Sequence, residues 1–127
     1  MCLAYQSGSS SGNILGDDAL VVRGGMSTAD NLITNQQKDP RGHISANAAN
    51  GVDLETLATT PEPFRNGQIT VTTVGDIRRI GMDVIPDPTK NNPFHVSIVP
   101  QNVPISSAEA NSLSNLFKKQ ENKWKPK

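Results

Sequence analysis

The chain has 127 residues, enough for one domain of ordinary size, and hydrophobic residues make up only 35% of it, with aromatics at 4%. A small, mainly aliphatic core follows; no apolar run approaches the ~20 residues of a membrane span, which excludes an integral membrane helix. The single cysteine, Cys2, excludes an internal disulfide framework and a cysteine-based zinc site, and twelve basic against twelve acidic residues exclude a uniformly basic nucleic-acid coat.

The first seventeen residues read as a flexible N-terminal segment, because Gln6 to Gly12 is QSGSSSG, a linker composition. There is no charged, apolar and cleavage-site succession of a secretory signal, and only Met1 precedes Cys2, which reads as a free thiol. From Asp18, Ala19 to Arg23 forms a short apolar run closed by Gly24-Gly25, a strand. Ser27 caps the helix that follows, with Asp30 three residues on, and Ala29, Leu32 and Ile33 share its buried face until Asp39-Pro40 stops it. His43 to Ala46 is extended. A second helix starts at Asn50 or Asp53, and Thr59 to Pro63 is a loop.

Gln68 to Thr73 alternates and is rich in β-branched residues, a strand. Gly75 to Gly81 gives one or two helical turns, Met82 to Ile85 a strand, and Phe94 to Val99 another. Ser106 and Glu109 make a capping box for a terminal helix whose apolar side carries Ala110, Leu113, Leu116 and Phe117. The whole reads as an α+β domain over residues 18–117, with a small, mainly antiparallel sheet and about three helices. Residues 118–127 hold five lysines against one glutamate, leaving seven basic and eleven acidic residues before them. This basic C-terminal tail reads either as a frayed terminus or as an electrostatic hook for RNA, with Trp124 as a stacking surface.

The chemistry is narrowed by elimination. His43 and His95 have no acidic pair at ligand spacing, so no metal site is expected. There is no Gly-x-Ser-x-Gly elbow, no P-loop and no dinucleotide fingerprint, and no cofactor is expected. What remains is cations, hydroxyls and a histidine at strand ends. Arg23 reads either as a charge in solvent, paired with Asp17 or Asp18, or as a planar fork for phosphate. Thr72, Thr73 and the Val74-Gly75 backbone precede a short helix bearing Arg78, either an ordinary turn or a phosphate cradle. In Phe94 to Ile98, alternation sets Phe94, Val96 and Ile98 on one face and His95 with Ser97 on the other. His95 is then the general acid or base of the set, with His43 a weaker second.

Four motifs carry a resemblance: Arg23-Gly24-Gly25, Thr73-Val74-Gly75-Asp76-Ile77-Arg78, Asn92-Pro93-Phe94-His95, and Leu113 with Leu116-Phe117. Over three quarters of the chain, from Val22 to Phe117, it resembles a family of small uncharacterised bacterial proteins. The resemblance implies Arg23, Thr73, Arg78 and His95 as the polar motif residues and implies no activity. A looser resemblance, to ADP-ribosyltransferase domains that use NAD, rests on Arg23-Gly24 and Ser45. Its third position, a catalytic glutamate, has no counterpart: Glu55 lies in a helix, Glu62 in a Pro-rich loop, and Glu109 caps a helix. The function expected is a toxin-like bacterial effector, a metal-independent ribonuclease of the cytoplasm. His95 moves the proton, Arg23 and Arg78 hold transition-state charge, and Thr73 orients the phosphate. Its partners are RNA or a cognate antitoxin or immunity protein, and no membrane. The competing reading is a non-catalytic interaction module of a bacterial conflict or toxin–antitoxin system.

Overall fold

The computed structural model describes residues 14–127. Among these residues six strands and four helices follow in chain order: β1 (Leu20–Gly24), α1 (Ala29–Lys38), β2 (Ile44–Ala48), α2 (Leu54–Thr59), β3 (Gln68–Thr73), α3 (Val74–Arg79), β4 (Asp83–Pro86), β5 (His95–Val99), α4 (Ser107–Leu116) and β6 (Lys118–Glu121). The strands form one antiparallel sheet in the order β4-β5-β2-β1-β3-β6, an α+β fold as expected.

Alternation divides the sheet into two faces. On one face Val21, Ala46, Val96, Ile98 and Val84 meet Leu32 of α1, Ile77 of α3 and Leu113 of α4 in the larger core. On the other, Val22 and Ile69 meet Leu57 and Ala58 of α2, with Phe64, Phe94 and Trp124 packed around them. The core is aliphatic, as the composition demands; the aromatics cluster on the smaller face. Phe94 precedes β5 and packs with this second cluster, so it does not share the face of Val96 and Ile98 that alternation assigned it.

The helix caps follow the sequence with one exchange. Asp53 caps α2 by accepting from the Thr56 amide at 2.9 Å, and Ser106 caps α4 by accepting from the Glu109 amide at 3.1 Å. At α1 the cap is Thr28, which accepts from the Asn31 amide at 3.2 Å; Ser27, expected there, is buried and bonded to Arg23. Residues 14–17 belong to the domain rather than to a loose segment. Leu15 is in the core, the Gly16 amide donates to Asn50 at 2.7 Å, and the Asp17 carbonyl accepts from Gly75 at 2.8 Å. The Gln6 to Gly12 stretch and Cys2 lie outside the described residues.

The C-terminal residues depart furthest from expectation. Lys118–Glu121 form the edge strand β6, registered on β3 with Thr70 opposite Lys119. Buried Asn122 then donates through Nδ2 to the carbonyls of Phe64 and Asn66, both at 2.8 Å, and its Oδ1 accepts from the Trp124 amide at 3.1 Å. The lysines have a structural use here, since cations along an edge strand discourage pairing with a second sheet. Neither a frayed terminus nor a free hook describes them. Truncation after Phe117 should therefore destabilise the domain by exposing β3 and the second core. Trp124→Ala should cost ~1–3 kcal/mol in denaturant unfolding, less than a fully buried tryptophan. Native Trp124 emission should be blue-shifted and shielded from quencher.

Candidate functional site

The ladder between β1 and β2 is short. Val21 pairs with Ala48 and Val22 with Asn47, and there the pairing ends, although β2 continues against β5 to Ile44. Beyond Val22 the two strands part, and Arg23 spans the gap: its Nε donates to the Ser45 carbonyl at 3.0 Å. Its Nη1 donates to Ser27 Oγ at 2.9 Å and Asn31 Oδ1 at 3.1 Å, and Ser27 shares a 2.6 Å hydrogen bond with Thr70. Arg23 is only 8% exposed, and every acceptor it meets among the described residues is neutral. Burial pulls its pKa down to about 10. It is thus neither in solvent nor paired with Asp17 or Asp18.

The glycines after Arg23 have separate reasons. A Cβ on Gly24 would stand 2.6 Å from Asn66 Oδ1 and 3.3 Å from the Phe64 ring. Gly25 has φ +80°, the left-handed region, as the chain turns from β1 toward α1.

His95 opens β5 on the face opposite the larger core, across from Asn47. The turn before it is built by Asn92, whose Oδ1 accepts from the Phe94 amide at 3.0 Å and whose Nδ2 donates to Asn47 Oδ1 at 2.8 Å. Asn47 in turn donates to the Leu57 and Thr60 carbonyls, at 2.9 Å each, tying α2 to the same point. His95 Nδ1 lies 2.8 Å from the Asp87 carbonyl, which can only accept. Nδ1 therefore carries a proton, and in the neutral ring the lone pair is left on Nε2. The Asp87 carboxylate is 3.7 Å from the same Nδ1 and accepts from Ser97 Oγ at 2.9 Å and Arg41 Nη2 at 2.8 Å.

One pocket of about 220 Å³ at the β1–β2 gap touches both Arg23 and His95, with Gly24, Ser45, Asn47 and Phe64, although Arg23 leaves β1 on the face of Val21, toward Ser27 and Asn31, and His95 leaves β5 on the opposite face. No Asp or Glu lines it among the described residues. Such a lining holds an anion by charge, a ring by Phe64, and a proton at an imidazole.

Thr73 and Arg78 are elsewhere. Arg23 sits opposite Thr70 and Leu20 opposite Thr73, which places Thr73 three residues, ~10 Å, along the strands. Thr73 caps α3 through the Asp76 amide, at 3.2 Å. The amides counted on for an anion are spent: Val74 donates to the Ala19 carbonyl at 3.0 Å and Gly75 to the Asp17 carbonyl. Arg78 is held between Asp17, at 2.8 Å, and Asp83, at 3.2 Å. Of the four expected residues the fold brings two to the rim of one pocket, from opposite faces of the sheet, and the other two close the α3 end of the sheet. His43 lies outside the pocket, its Nδ1 buried and without a partner among the described residues. Those residues also contain no group of three His, Cys, Asp or Glu able to hold a metal ion, and no helix long and apolar enough to cross a membrane.

Sequence reasoning missed Phe64, Asn47, Asp87 and Arg41. Only Asp87 carries a local signal, between two prolines just before the His95 strand; the others depend on long-range register. No protein family, curated protein or solved structure matches this chain.

The Arg41 hydrogen bond, then that from Ser97, holds the Asp87 carboxyl below the usual carboxylate range. The ionised form therefore stabilises the fold above the unfolded carboxyl pKa of about 4, and that contribution is lost as pH falls through the lower folded value. Asp87→Asn should lower Tm by a constant amount near neutrality, equivalent to roughly 1 kcal/mol or less for so exposed a pair. The gap from the native protein should close in acid, as thermal melts from pH 7 downward would show.

Proposed function

We propose that the chain is a toxin-like bacterial effector that cleaves RNA phosphodiesters without a metal, in the cytoplasm, with His95 and Arg23 as its working pair. The observation that carries this reading is a buried arginine with no carboxylate partner among the described residues, at the rim of the same pocket as a histidine whose Nδ1 is held by a carbonyl. A desolvated cation is costly unless an anion joins it, and phosphate, like carboxylate, matches the planar fork of a guanidinium.

The chemistry needs few groups. His95 Nε2 accepts the proton of a ribose 2′-hydroxyl, whose oxygen then bonds to phosphorus. The bond from phosphorus to the 5′-oxygen breaks, leaving a 2′,3′-cyclic phosphate; the departing oxygen takes a proton from water, and the hydroxide so formed takes back the proton held on His95 Nε2. Arg23 meets the extra negative charge that gathers on the phosphorane oxygens. Ser97 and Asp87 keep the ring from turning. ADP-ribosyl transfer from NAD is less well supported, because the pocket offers no carboxylate in the place of the missing glutamate. The partners proposed are RNA and a cognate antitoxin or immunity protein.

The purified protein should cleave single-stranded RNA in EDTA. His95→Ala should lose at least ~10² in rate, as removal of a general base does, while keeping its melting temperature. Cleavage products ending in 2′,3′-cyclic phosphate would support the step written above. A folded protein that cleaves no RNA would instead favour the interaction module, and NAD consumption would favour the transferase.

A further inference from the structure

A second concavity, of about 550 Å³, adjoins the first across Gly24. Its walls are Gly24, Gly25, Met26, Asn31, Asn66, Gly67 and Gln68, with no charged side chain among them. Three carboxamides in one uncharged hollow beside a phosphate-sized cation call for a neutral ligand rich in hydrogen-bonding edges. Asn31 commits its Oδ1 to Arg23 and so links the two hollows. Gln68 Nε2 is buried and has no partner among the described residues, so a turn of its carboxamide toward a ligand breaks no bond of that nitrogen and gives it one. Met26 is 52% exposed, a large apolar side chain that the core does not use. A polarisable thioether is a good surface for a flat aromatic ring.

We infer that this hollow is a nucleobase subsite, with adenine the base it takes, for the nucleotide whose phosphate reaches Arg23. The inference rests on the reading of RNA as substrate and names which part of RNA is recognised. Adenine shows the N6 amino donor beside the N7 acceptor, the pair a carboxamide meets with both its atoms. Guanine shows two acceptors at the same edge, which favour Arg or Lys, and neither lines this hollow. Pyrimidines offer a smaller ring face to Met26. The glycines are then doubly used, since side chains at 24 and 25 would fill the passage between the two hollows.

The test is calorimetric titration of the full chain with adenosine, guanosine, cytidine and uridine, repeated for Gln68→Ala and Asn66→Ala. Asn66 carries an exposed side chain and Gln68 lies in β3, so the pair of variants separates loss of binding from loss of fold, with melting temperature as the check. Adenosine should bind at least fivefold more tightly than the other three, and each variant should reduce that preference to less than twofold. Equal binding of all four nucleosides, binding of none, or a preference for adenosine that neither variant alters would overturn the subsite. RNA cleavage with no preference at adenosine would overturn it too and leave the ribonuclease reading standing. Adenosine preference lost in the variants, in a protein that cleaves no RNA, would support the subsite and overturn the ribonuclease reading.

Discussion

Where the hydrogen-bond ladder between the two central strands stops, a guanidinium takes over. Arg23 holds the Ser45 carbonyl of β2, the Ser27 hydroxyl of the turn after β1 and the Asn31 carboxamide of α1, and through Ser27 it reaches Thr70 of β3. Three strands and a helix thus meet on one side chain. Lysine, with a single point of charge on a flexible stem, has no fork to span those directions. The arrangement also leaves the positive charge uncompensated. Its neutral acceptors satisfy the N–H groups without cancelling the field, so the gap in the sheet becomes the place where a negative group is most welcome.

The histidine depends on a different set of contacts that converges on the same gap. Asn92 shapes the turn, Asn47 anchors it, and the Asp87 backbone orients the ring, while Arg41 and Ser97 steady the Asp87 carboxylate. Every one of these groups is polar and none is in the larger core. A cluster of side-chain hydrogen bonds on an open sheet face adds little to stability for its cost in order, which fits a use in positioning.

Much of the fold could be read from residue order, because it rests on local chemistry. The capping residues Asp53 and Ser106, the alternation in Gln68 to Thr73, and the stop at Asp39-Pro40 each act within a few positions. The site was half legible. His95 was placed on the correct face by alternation within its own strand. Arg23 was not, since its burial follows from the register of β1 against β2, set by residues more than twenty positions away. Thr73 and Arg78 misled for a related reason. A threonine and an arginine flanking a short helix look alike whether they await a phosphate or bind Asp76 and Asp17, and only the fold brings Asp17 to Arg78. In Lys118 to Lys127 the dense positive charge masks Trp124 and Asn122, two residues that a solvated tail does not need.

The pairing of β6 on β3 bears on the order in which this sheet can form. Val21 in the central strand waits for Thr72, and Thr70 beside it waits for Lys119. Each ladder closes a loop of about two-fifths of the chain before any of its bonds form, so the entropy of closure precedes the reward. Of the helices, α1 and α3 can meet a sheet partner early, since β2 follows the one closely and β4 the other. A nascent chain would hold β1 and β3 with one edge bare until the last strand arrives. During that interval the strand of Ile69 and Val71 is an adhesive edge, and Lys118 and Lys119 of β6 are the charges that arrive to blunt it.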